Sequence, residues 1–262
     1  MSGAIWNFAG KTALVSGGAT GIGEAIVRKL AAAGALVVFS DLNEAAGEAL
    51  ERELQGGGAQ IRFMVSDATD EPQVEALVAN ALSVGGALDM AINNVGGIAK
   101  RAGDHGKIRL HQTSLEAWRA TVDLNLTSCF LGMKHQIPVM VAAGGGAIVN
   151  LTSLAGMRYS DGASPAYAAA KAGVIHLTRY AAVMHATDRV RVNVVAPGLT
   201  ATKAMLANMP DDETRRMRAA RLPMNRMIDP AEIADACLWA CSEAATGVTG
   251  LTIPVDGGTA AL

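Results

Sequence analysis

Short apolar segments alternate with helical patterns along nearly the whole chain, and this alternation restricts the possible folds more than any other feature. Seven segments have the composition of buried strands: Thr12–Gly18, Ala35–Asp41, Gln60–Asp67, Leu88–Asn94, Gly146–Ser153, Val190–Pro197 and Gly250–Asp256. Strands that are apolar throughout and alternate with helices are typical of a parallel sheet covered on both faces. The order predicts an α/β fold, a doubly wound (Rossmann) seven-stranded parallel sheet that binds ligands at the carboxyl ends of its strands.

Helical patterns fill the intervals between these strands. They cover Gly21–Gly34, Asn43–Gln55, Glu71–Val84, Ser114–Ala142, Pro165–Ala186 and Pro230–Ser242. The chain has 262 residues and no low-complexity linker, so we expect a single domain over residues 1–262. Two irregular stretches, residues 96–113 and 199–228, follow carboxyl ends of strands, where we expect substrate loops.

Composition argues against several classes of protein. The formal net charge of −2 gives no electrostatic reason to bind nucleic acid or an anionic membrane. No run of about 18 apolar residues predicts a membrane span, and the first residues do not resemble a secretory signal. Three cysteines are too few for a disulfide framework, so we expect a cytoplasmic protein. The histidine spacing fits no metal site, and we expect none.

A glycine cluster lies where the first strand meets the first helix, in SGGATGIGEAI. Gly17, Gly21 and Gly23 depart from the G-x-G-x-x-G spacing, because Ile26 stands at the third position. Glycine still permits close backbone approach, and a helix N-terminus offers free N–H groups to a pyrophosphate. The cluster indicates a dinucleotide site; the alternative is a tight turn without a ligand.

Asp41 ends the second strand. A carboxylate there can accept hydrogen bonds from both ribose hydroxyls of a dinucleotide and would repel a 2′-phosphate. No Arg or Lys occurs at Gly18–Thr20 or Leu42–Asn43 to neutralise such a phosphate. We therefore expect NAD, with NADP less favoured, while the alternative is that Asp41 or Asn43 only caps the next helix.

The stretch SPAYAAAKAGV begins the fifth helical pattern. Ser164 suits the N-cap and Pro165 the first helical position, so Tyr167 and Lys171 lie one turn apart on one face. Such a pair, taken alone, is most often without function.

Taken in chain order, these residues resemble the short-chain dehydrogenase/reductase family. SGGATGIG resembles its TGxxxGxG motif, NNVG at 93–96 its NNAG motif, and the pair Tyr167 and Lys171 its YxxxK motif. PGLTAT at 197–202 and VTGLTIPVDGG at 248–258 resemble its later segments. The resemblance covers nearly the whole chain, with departures at Ser16, Val95 and Thr200.

The resemblance implies roles for the matching positions. The implied catalytic residues are Asn125, Ser153, Tyr167 and Lys171. The implied cofactor-binding residues are Gly17, Thr20, Gly21, Ile22, Gly23, Asp41, Leu42, Asp67, Ala68, Asn94, Gly96, Tyr167, Lys171, Pro197, Gly198, Thr200 and Thr202. The glycines would line the pyrophosphate, Asp67 would meet the adenine, and Thr202 the nicotinamide amide.

The implied chemistry is hydride exchange between an alcohol carbon and nicotinamide. A free tyrosine has a pKa of about 10, and a nearby ammonium together with the oxidised nicotinamide ring would lower it. Tyr167 would then act as general base in oxidation and general acid in reduction. Ser153 would orient the substrate oxygen, and Asn125 would hold a water that links Lys171 to solvent.

We therefore expect an NAD-dependent oxidoreductase that interconverts a secondary alcohol and a ketone. Methionines at 205, 209, 217, 224 and 227 suggest a largely apolar small-molecule substrate, although ordinary helix packing explains them equally well. A 3-oxoacyl thioester reductase and a non-catalytic nucleotide-sensing protein are the alternatives. An enoyl reductase is less favoured, because tyrosine and lysine are spaced more widely in that group. The resemblance also implies a homotetramer or homodimer, formed through the helices within Ser114–Ala142 and Pro165–Ala186.

Overall fold

The computed structural model describes residues 6–104, 106–209 and 211–262, without the side chain of Arg101. These residues form a seven-stranded sheet in the order β3-β2-β1-β4-β5-β6-β7, in which every neighbouring pair is parallel. The strands are β1 (Thr12–Ser16), β2 (Leu36–Asp41), β3 (Ile61–Val65), β4 (Met90–Asn93), β5 (Gly146–Leu151), β6 (Val190–Pro197) and β7 (Thr252–Val255). The predicted doubly wound sheet is confirmed. The first five residues, on which the expectation about a signal partly depended, and His105 lie outside the described residues.

Helices cover both faces of the sheet. They are α1 (Gly21–Ala32), α2 (Glu44–Gly56), α3 (Glu71–Gly85), α4 (Leu115–Val122), α5 (Ser128–Ala142), α6 (Pro165–Met184), α7 (Lys203–Ala207), α8 (Asp212–Ala219) and α9 (Pro230–Cys241). The sequence predicted one helix over Ser114–Ala142, whereas the structure divides it by a π-helical turn at Asp123–Thr127. Such turns widen a helix locally and are frequent at functional sites.

The alternation of side chains along β2 shows why the strands are apolar throughout. Val37 and Phe39 are fully buried in a cluster that includes Ile26 of α1. Val38, between them, is equally buried in a second cluster on the other face, with Leu77 of α3. Because neighbouring residues of a strand point to opposite faces, a sheet covered on both sides needs an apolar residue at every position.

The chain reverses its direction of travel across the sheet at β1. It proceeds outward from β1 to β2 and β3, and then returns to place β4 on the other side of β1, with Ser16 opposite Asn93. The connections after these two strands diverge and leave a crevice at their carboxyl ends. In doubly wound folds, ligands bind in this crevice.

The two predicted substrate loops contain short helical elements. The segment 96–113 includes single 3₁₀ turns at Lys100–Ala102 and Leu110–Gln112. The segment 199–228, expected to be irregular, carries α7 and α8. Among the described helices, none has both the length and the hydropathy that crossing a membrane requires.

Candidate active site

The sequence-predicted site residues gather at the carboxyl edge of the sheet. Gly17 follows β1, Asp41 ends β2, Asn94 follows β4, Ser153 lies two residues after β5, and Gly198 follows β6. Tyr167 and Lys171 lie in the first half of α6, whose N-terminus starts at the same edge. The structure therefore brings together residues from five strands and one helix.

The glycine turn is built for close backbone packing. Gly17 and Gly21 have φ of 69° and 60°, which favour glycine. A Cβ atom on Gly23 would overlap the carbonyl oxygen of Gly17 and lie 2.7 Å from Nδ2 of Asn94. That Nδ2 donates to the Gly17 oxygen at 2.7 Å, so Asn94 braces the turn.

The N-terminus of α1 faces this turn with its backbone donors open. Thr20 occupies the N-cap position, yet in the described part of the chain its side chain accepts no capping hydrogen bond. A Cβ atom placed on Gly21 would lie 3.4 Å from Cγ2 of Thr202, so the turn and the β6 loop border the same crevice. Ile22, the next residue of α1, is half-buried and packs on the core. Free helix N–H groups beside glycines fit a pyrophosphate.

The carboxylate of Asp41 contacts two segments, the glycine turn and the start of α2. Its Oδ2 accepts from the Ala19 N–H at 3.1 Å, and its Oδ1 accepts from the Asn43 N–H at 3.0 Å. The helix cap itself is Asn43, whose side chain accepts from the Ala46 N–H. Asp41 is therefore not the cap of α2, and each carboxylate oxygen keeps acceptor capacity for a ribose hydroxyl. Leu42, beside it, is 65% exposed.

A small cavity adjoins the carboxyl end of β3. It is lined by Ser66, Ala68 and Asn93, among others, and the buried Ser66 hydroxyl has no hydrogen-bond partner within the described chain. Asp67 folds back locally, because its Oδ1 accepts from the N–H and hydroxyl of Thr69 at 2.8 and 2.7 Å. The cavity has room for about one water molecule and is too small for an adenine ring, so the contact of Asp67 with adenine stays a prediction.

Asn125 is the centre of the π turn and is completely buried. Its Nδ2 donates to the carbonyls of Gly97 at 2.7 Å and Thr121 at 2.8 Å, while its Oδ1 accepts from the Gly97 N–H at 2.9 Å. Both amide hydrogens are therefore used within the protein. One acceptor position remains on Oδ1, so a water held by this amide would donate to that oxygen.

Lys171 is buried beneath the same loop. Its Nζ donates to the carbonyl of Leu151, at the end of β5, at 3.0 Å. A Cβ atom on Gly96 would lie 2.6 Å from this Nζ and 2.7 Å from Oδ1 of Asn125. The absence of a side chain at position 96 thus allows the lysine and the asparagine to approach each other. Burial lowers the pKa of Lys171 to about 8.

Tyr167 is half-buried one turn before Lys171, whose Nζ is 5.8 Å from the centre of the phenol ring. Burial raises the pKa of Tyr167, and a hydrogen bond from the side chain of Ser153 acts in the opposite direction. The sequence expectation was a lowered pKa, which included a contribution from the oxidised nicotinamide. In the protein chain alone, the effect of burial on this pKa outweighs that of the Ser153 hydrogen bond.

Two further residues support Lys171 and were missed in the sequence. The buried Thr152 hydroxyl donates to the Lys171 carbonyl at 2.7 Å. A Cβ atom on Gly156 would lie 2.6 Å from the Lys171 carbonyl carbon, so the turn after β5 packs directly on α6. Neither residue belongs to a motif with the lysine, and only their closeness to Ser153 in the chain is a sequence signal.

The loop after β6 combines backbone pairing with close packing. Pro197 ends β6, and a Cβ atom on Gly198 would lie 2.7 Å from Cα of Asp256. Thr200 is buried, and its hydroxyl donates to the Gly198 carbonyl at 3.0 Å. The Thr202 hydroxyl accepts from the Met205 N–H at 3.1 Å and keeps its own hydrogen to donate. These residues border the crevice opposite the glycine turn.

The expected apolar wall is only partly present. Met209 is 2% exposed and belongs to the core, whereas Met205, Met217 and Met224 are exposed. In the other loop, Lys107 forms an exposed ion pair with Asp161 at 2.9 Å. In the described ranges, no group of three His, Cys, Asp or Glu side chains could hold a metal ion.

Comparisons with known proteins place the chain in a family. Residues 17–260 match the family model described as enoyl-(acyl carrier protein) reductase. The cis-4-hydroxycyclohexanecarboxylate dehydrogenase of Sinomonas cyclohexanicum is 42% identical over 96% of this chain and 97% of its own. The cyclohexanol dehydrogenase of Acinetobacter sp. strain SE19 is 35% identical over 95% of each.

A solved structure agrees with these relatives. The short-chain type dehydrogenase/reductase from Mycobacterium ulcerans superimposes with a TM-score of 0.90 at 32% identity, covering 97% of this chain and 91% of that one. Sequence and fold therefore match over almost the full length, and the relatives are dehydrogenases of hydroxyl groups. The chain belongs to the short-chain dehydrogenase/reductase family, as an oxidoreductase that acts on CH–OH donors with a nicotinamide cofactor.

Proposed function

We propose that this protein uses NAD to oxidise a cyclic secondary alcohol of the cyclohexanol type to its ketone, with Tyr167 as the proton acceptor. The observation that carries the proposal is the meeting of Tyr167, Lys171 and Asn125 at the carboxyl edge of the sheet, beside an uncapped helix N-terminus. Both dehydrogenases compared above are named for hydroxyl groups on six-membered rings, which supports the ring as the substrate class.

Each side chain has a defined task in this proposal. Ser153 binds the substrate oxygen and holds it near the Tyr167 phenol, which takes the hydroxyl proton. A bound oxidised nicotinamide would accept the hydride and supply a positive charge near the phenol. The Lys171 ammonium stabilises the phenolate of Tyr167, which burial otherwise disfavours. Asn125 binds the backbone of Gly97 through both Nδ2 and Oδ1 of its side-chain amide. The remaining acceptor position on Oδ1 binds a water that links Lys171 to solvent.

The choice of NAD over NADP is carried by Asp41. Its two oxygens are half-buried at the end of β2, and each already accepts one backbone hydrogen bond. Ribose hydroxyls can add to such a carboxylate, whereas a 2′-phosphate would bring a second negative charge against it. We assign Gly17, Gly21 and Gly23 to the pyrophosphate, and Thr202 to the nicotinamide amide.

We also propose that the protein works as a homotetramer or homodimer in the cytoplasm. The outer faces of α5 and α6 expose large apolar side chains, among them Phe130, Tyr180 and Val183, the last with 80% of its surface free. A shallow groove between these helices is lined by Leu126, Phe130 and Leu177, among others. An apolar face of this kind favours a second copy of the chain, and free, buried cysteines are compatible with a reducing compartment.

A substrate panel tests the proposed function. Cyclohexanol, cis-4-hydroxycyclohexanecarboxylate, a linear secondary alcohol and a 3-hydroxyacyl thioester are each assayed with NAD and NADP by NADH absorbance. We expect the ring alcohols to be oxidised fastest and with NAD. Preference for the thioester would instead support a 3-oxoacyl reductase, and cofactor binding without any turnover would support a nucleotide sensor.

Tyr167→Phe tests the mechanism within the same assay. We expect the rate to fall by about 10²- to 10⁴-fold, the usual contribution of a positioned proton acceptor. NADH fluorescence should show that the variant still binds cofactor. Full activity of this variant would refute the role of Tyr167.

A further inference from the structure

A buried carboxylate outside the proposed catalytic group joins three segments of the site. Asp104 lies in the loop 96–113 and is only 2% exposed. Its Oδ2 accepts from the hydroxyls of Ser164 at 2.6 Å and Thr121 at 2.8 Å, and its Oδ1 accepts from the Gly106 N–H at 3.0 Å. All three contacts use Asp104 as an acceptor, which is the role of a carboxylate.

One branch of this network leads to Tyr167. Ser164 is completely buried and is the N-cap of α6, because its hydroxyl oxygen accepts from the Tyr167 N–H at 3.1 Å. The same hydroxyl donates its hydrogen to Asp104. A hydroxyl that donates to a carboxylate is polarised and becomes a better acceptor. Asp104 therefore strengthens and orients the cap that holds the backbone of Tyr167.

The other branch leads to Asn125. Thr121 donates its hydroxyl to Asp104, and its carbonyl accepts from Nδ2 of Asn125 at 2.8 Å. Asn125 in turn binds the backbone of Gly97, at the start of the same loop, through both Nδ2 and Oδ1 of its side-chain amide. The loop is thus held at its start by Asn125 of the π turn. Further along, its residue Asp104 binds Thr121 of α4 and Ser164 of α6.

We propose that Asp104 is a positioning residue, which makes the folding of the loop 96–113 and the placement of Tyr167 and Asn125 one coupled event. The inference rests on the proposed role of Tyr167. Where the Asp104 contacts form, they hold Tyr167 and Asn125 at their working positions. Misplacing a reacting group by about 1 Å can lower the rate about 10²-fold. A Ser164 cap that keeps Tyr167 in place therefore preserves the rate.

The kinetic test uses four single variants, with cyclohexanol and NAD as probes. Asp104→Asn replaces one acceptor oxygen by a donor, and Ser164→Ala removes the cap. Both should lower kcat by about tenfold or more, with the KM for NAD changed by less than about twofold. Ser164→Thr keeps a hydroxyl and should restore most of kcat. The control is Ser114→Ala, which removes a serine cap of α4 with the same 3.1 Å length and should leave kcat near the wild-type value.

Measuring Asp104→Asn in a protein that already carries Tyr167→Phe separates positioning from general damage to the fold. In Tyr167→Phe, the residual rate should respond to Asp104→Asn several-fold less than in the wild type, because the hydroxyl of one of the two residues that Asp104 positions has been removed and only the Asn125 branch remains. An equal loss in both backgrounds, or an equal loss in Ser114→Ala, would overturn the inference. Full activity of Tyr167→Phe itself would refute the proposed function instead, so the two failures are distinguishable.

Amide hydrogen exchange tests the coupling without turnover. Ser164→Ala should raise exchange at Ala99–Asp104, in the loop, as well as in the first turn of α6, while Ser114→Ala should raise neither. This measurement also decides the question if Asp104→Asn fails to fold. Faster exchange confined to α6 would show that loop and helix are independent and would overturn the inference.

Discussion

Asn125 and Lys171 face each other across Gly96, at a point where no side chain fits. A Cβ atom on Gly96 would lie 2.7 Å from Oδ1 of Asn125 and 2.6 Å from Nζ of Lys171. Both distances are shorter than the van der Waals contact distance between such atoms. The lysine end is flexible, but Asn125 is held by three hydrogen bonds. A side chain at position 96 would therefore displace the ammonium from its place beside the asparagine.

Gly96→Ala is expected to lower kcat by about tenfold or more, because the displaced lysine no longer stabilises the Tyr167 phenolate. Steady-state kinetics at saturating NAD measure the change, and circular dichroism confirms that the fold persists. The control is Gly56→Ala, since a Cβ at Gly56 has nothing within 4 Å. Equal rates for both variants would show that the contact at Gly96 has no catalytic importance.

Gly23→Ala is expected to weaken NADH binding by at least about tenfold. The added Cβ would overlap the carbonyl oxygen of Gly17, and this clash with backbone can be relieved only by moving the turn that cradles the pyrophosphate. Fluorescence titration with NADH measures the affinity. An unchanged dissociation constant would contradict the assignment of this turn to the cofactor.

Asp41→Asn is expected to lower the ratio of kcat/KM with NAD to that with NADP by about tenfold or more. The amide keeps one acceptor oxygen and removes the charge that opposes a 2′-phosphate. The matched control is Glu44→Gln, which removes an exposed negative charge from the first turn of α2. If both variants shift the ratio equally, general electrostatics and not a ribose contact sets the preference.

Lys171 should make the stability of the protein without cofactor depend on pH. Burial lowers its pKa to about 8 from 10.5, so between these values the unfolded chain binds a proton that the folded protein does not. Stability then rises with pH over this window, by at most about 3 to 4 kcal/mol at 1.4 kcal/mol per pKa unit, and the penalty is fully present below pH 8.

Urea unfolding of wild type and Lys171→Met at several pH values measures this contribution. The difference in the free energy of unfolding, wild type minus variant, should increase between pH 8 and 10.5. The same comparison with Lys100→Met, an exposed lysine, should give a constant difference. A constant difference for Lys171→Met as well would contradict the lowered pKa.

Hydrophobic pattern and local propensity predicted most of the fold. Six helical patterns and seven strands were placed near their observed positions, since buried strands and amphipathic helices are recognisable from neighbouring residues. Strand ends were overestimated: β1 ends at Ser16 and not at Gly18, because the chain leaves the sheet there to form the glycine turn. The π turn at Asp123–Thr127 was missed, and Gly97, the partner of the Asn125 side chain at the centre of this turn, lies in a separate segment that no local pattern connects with it.

The sequence by itself determined that Tyr167 and Lys171 lie one turn apart, since helical periodicity is local and an alanine-rich stretch after a serine and a proline starts a helix. It also determined the glycine turn and the acid that ends β2. Only the tertiary structure decided that Asn125 and Lys171 meet across Gly96, and that Asp104 binds both Ser164 and Thr121. The direction of the pKa shift of Tyr167 belongs to this second group. These features depend on distances and on burial between segments far apart in the chain, which packing sets and no local pattern encodes.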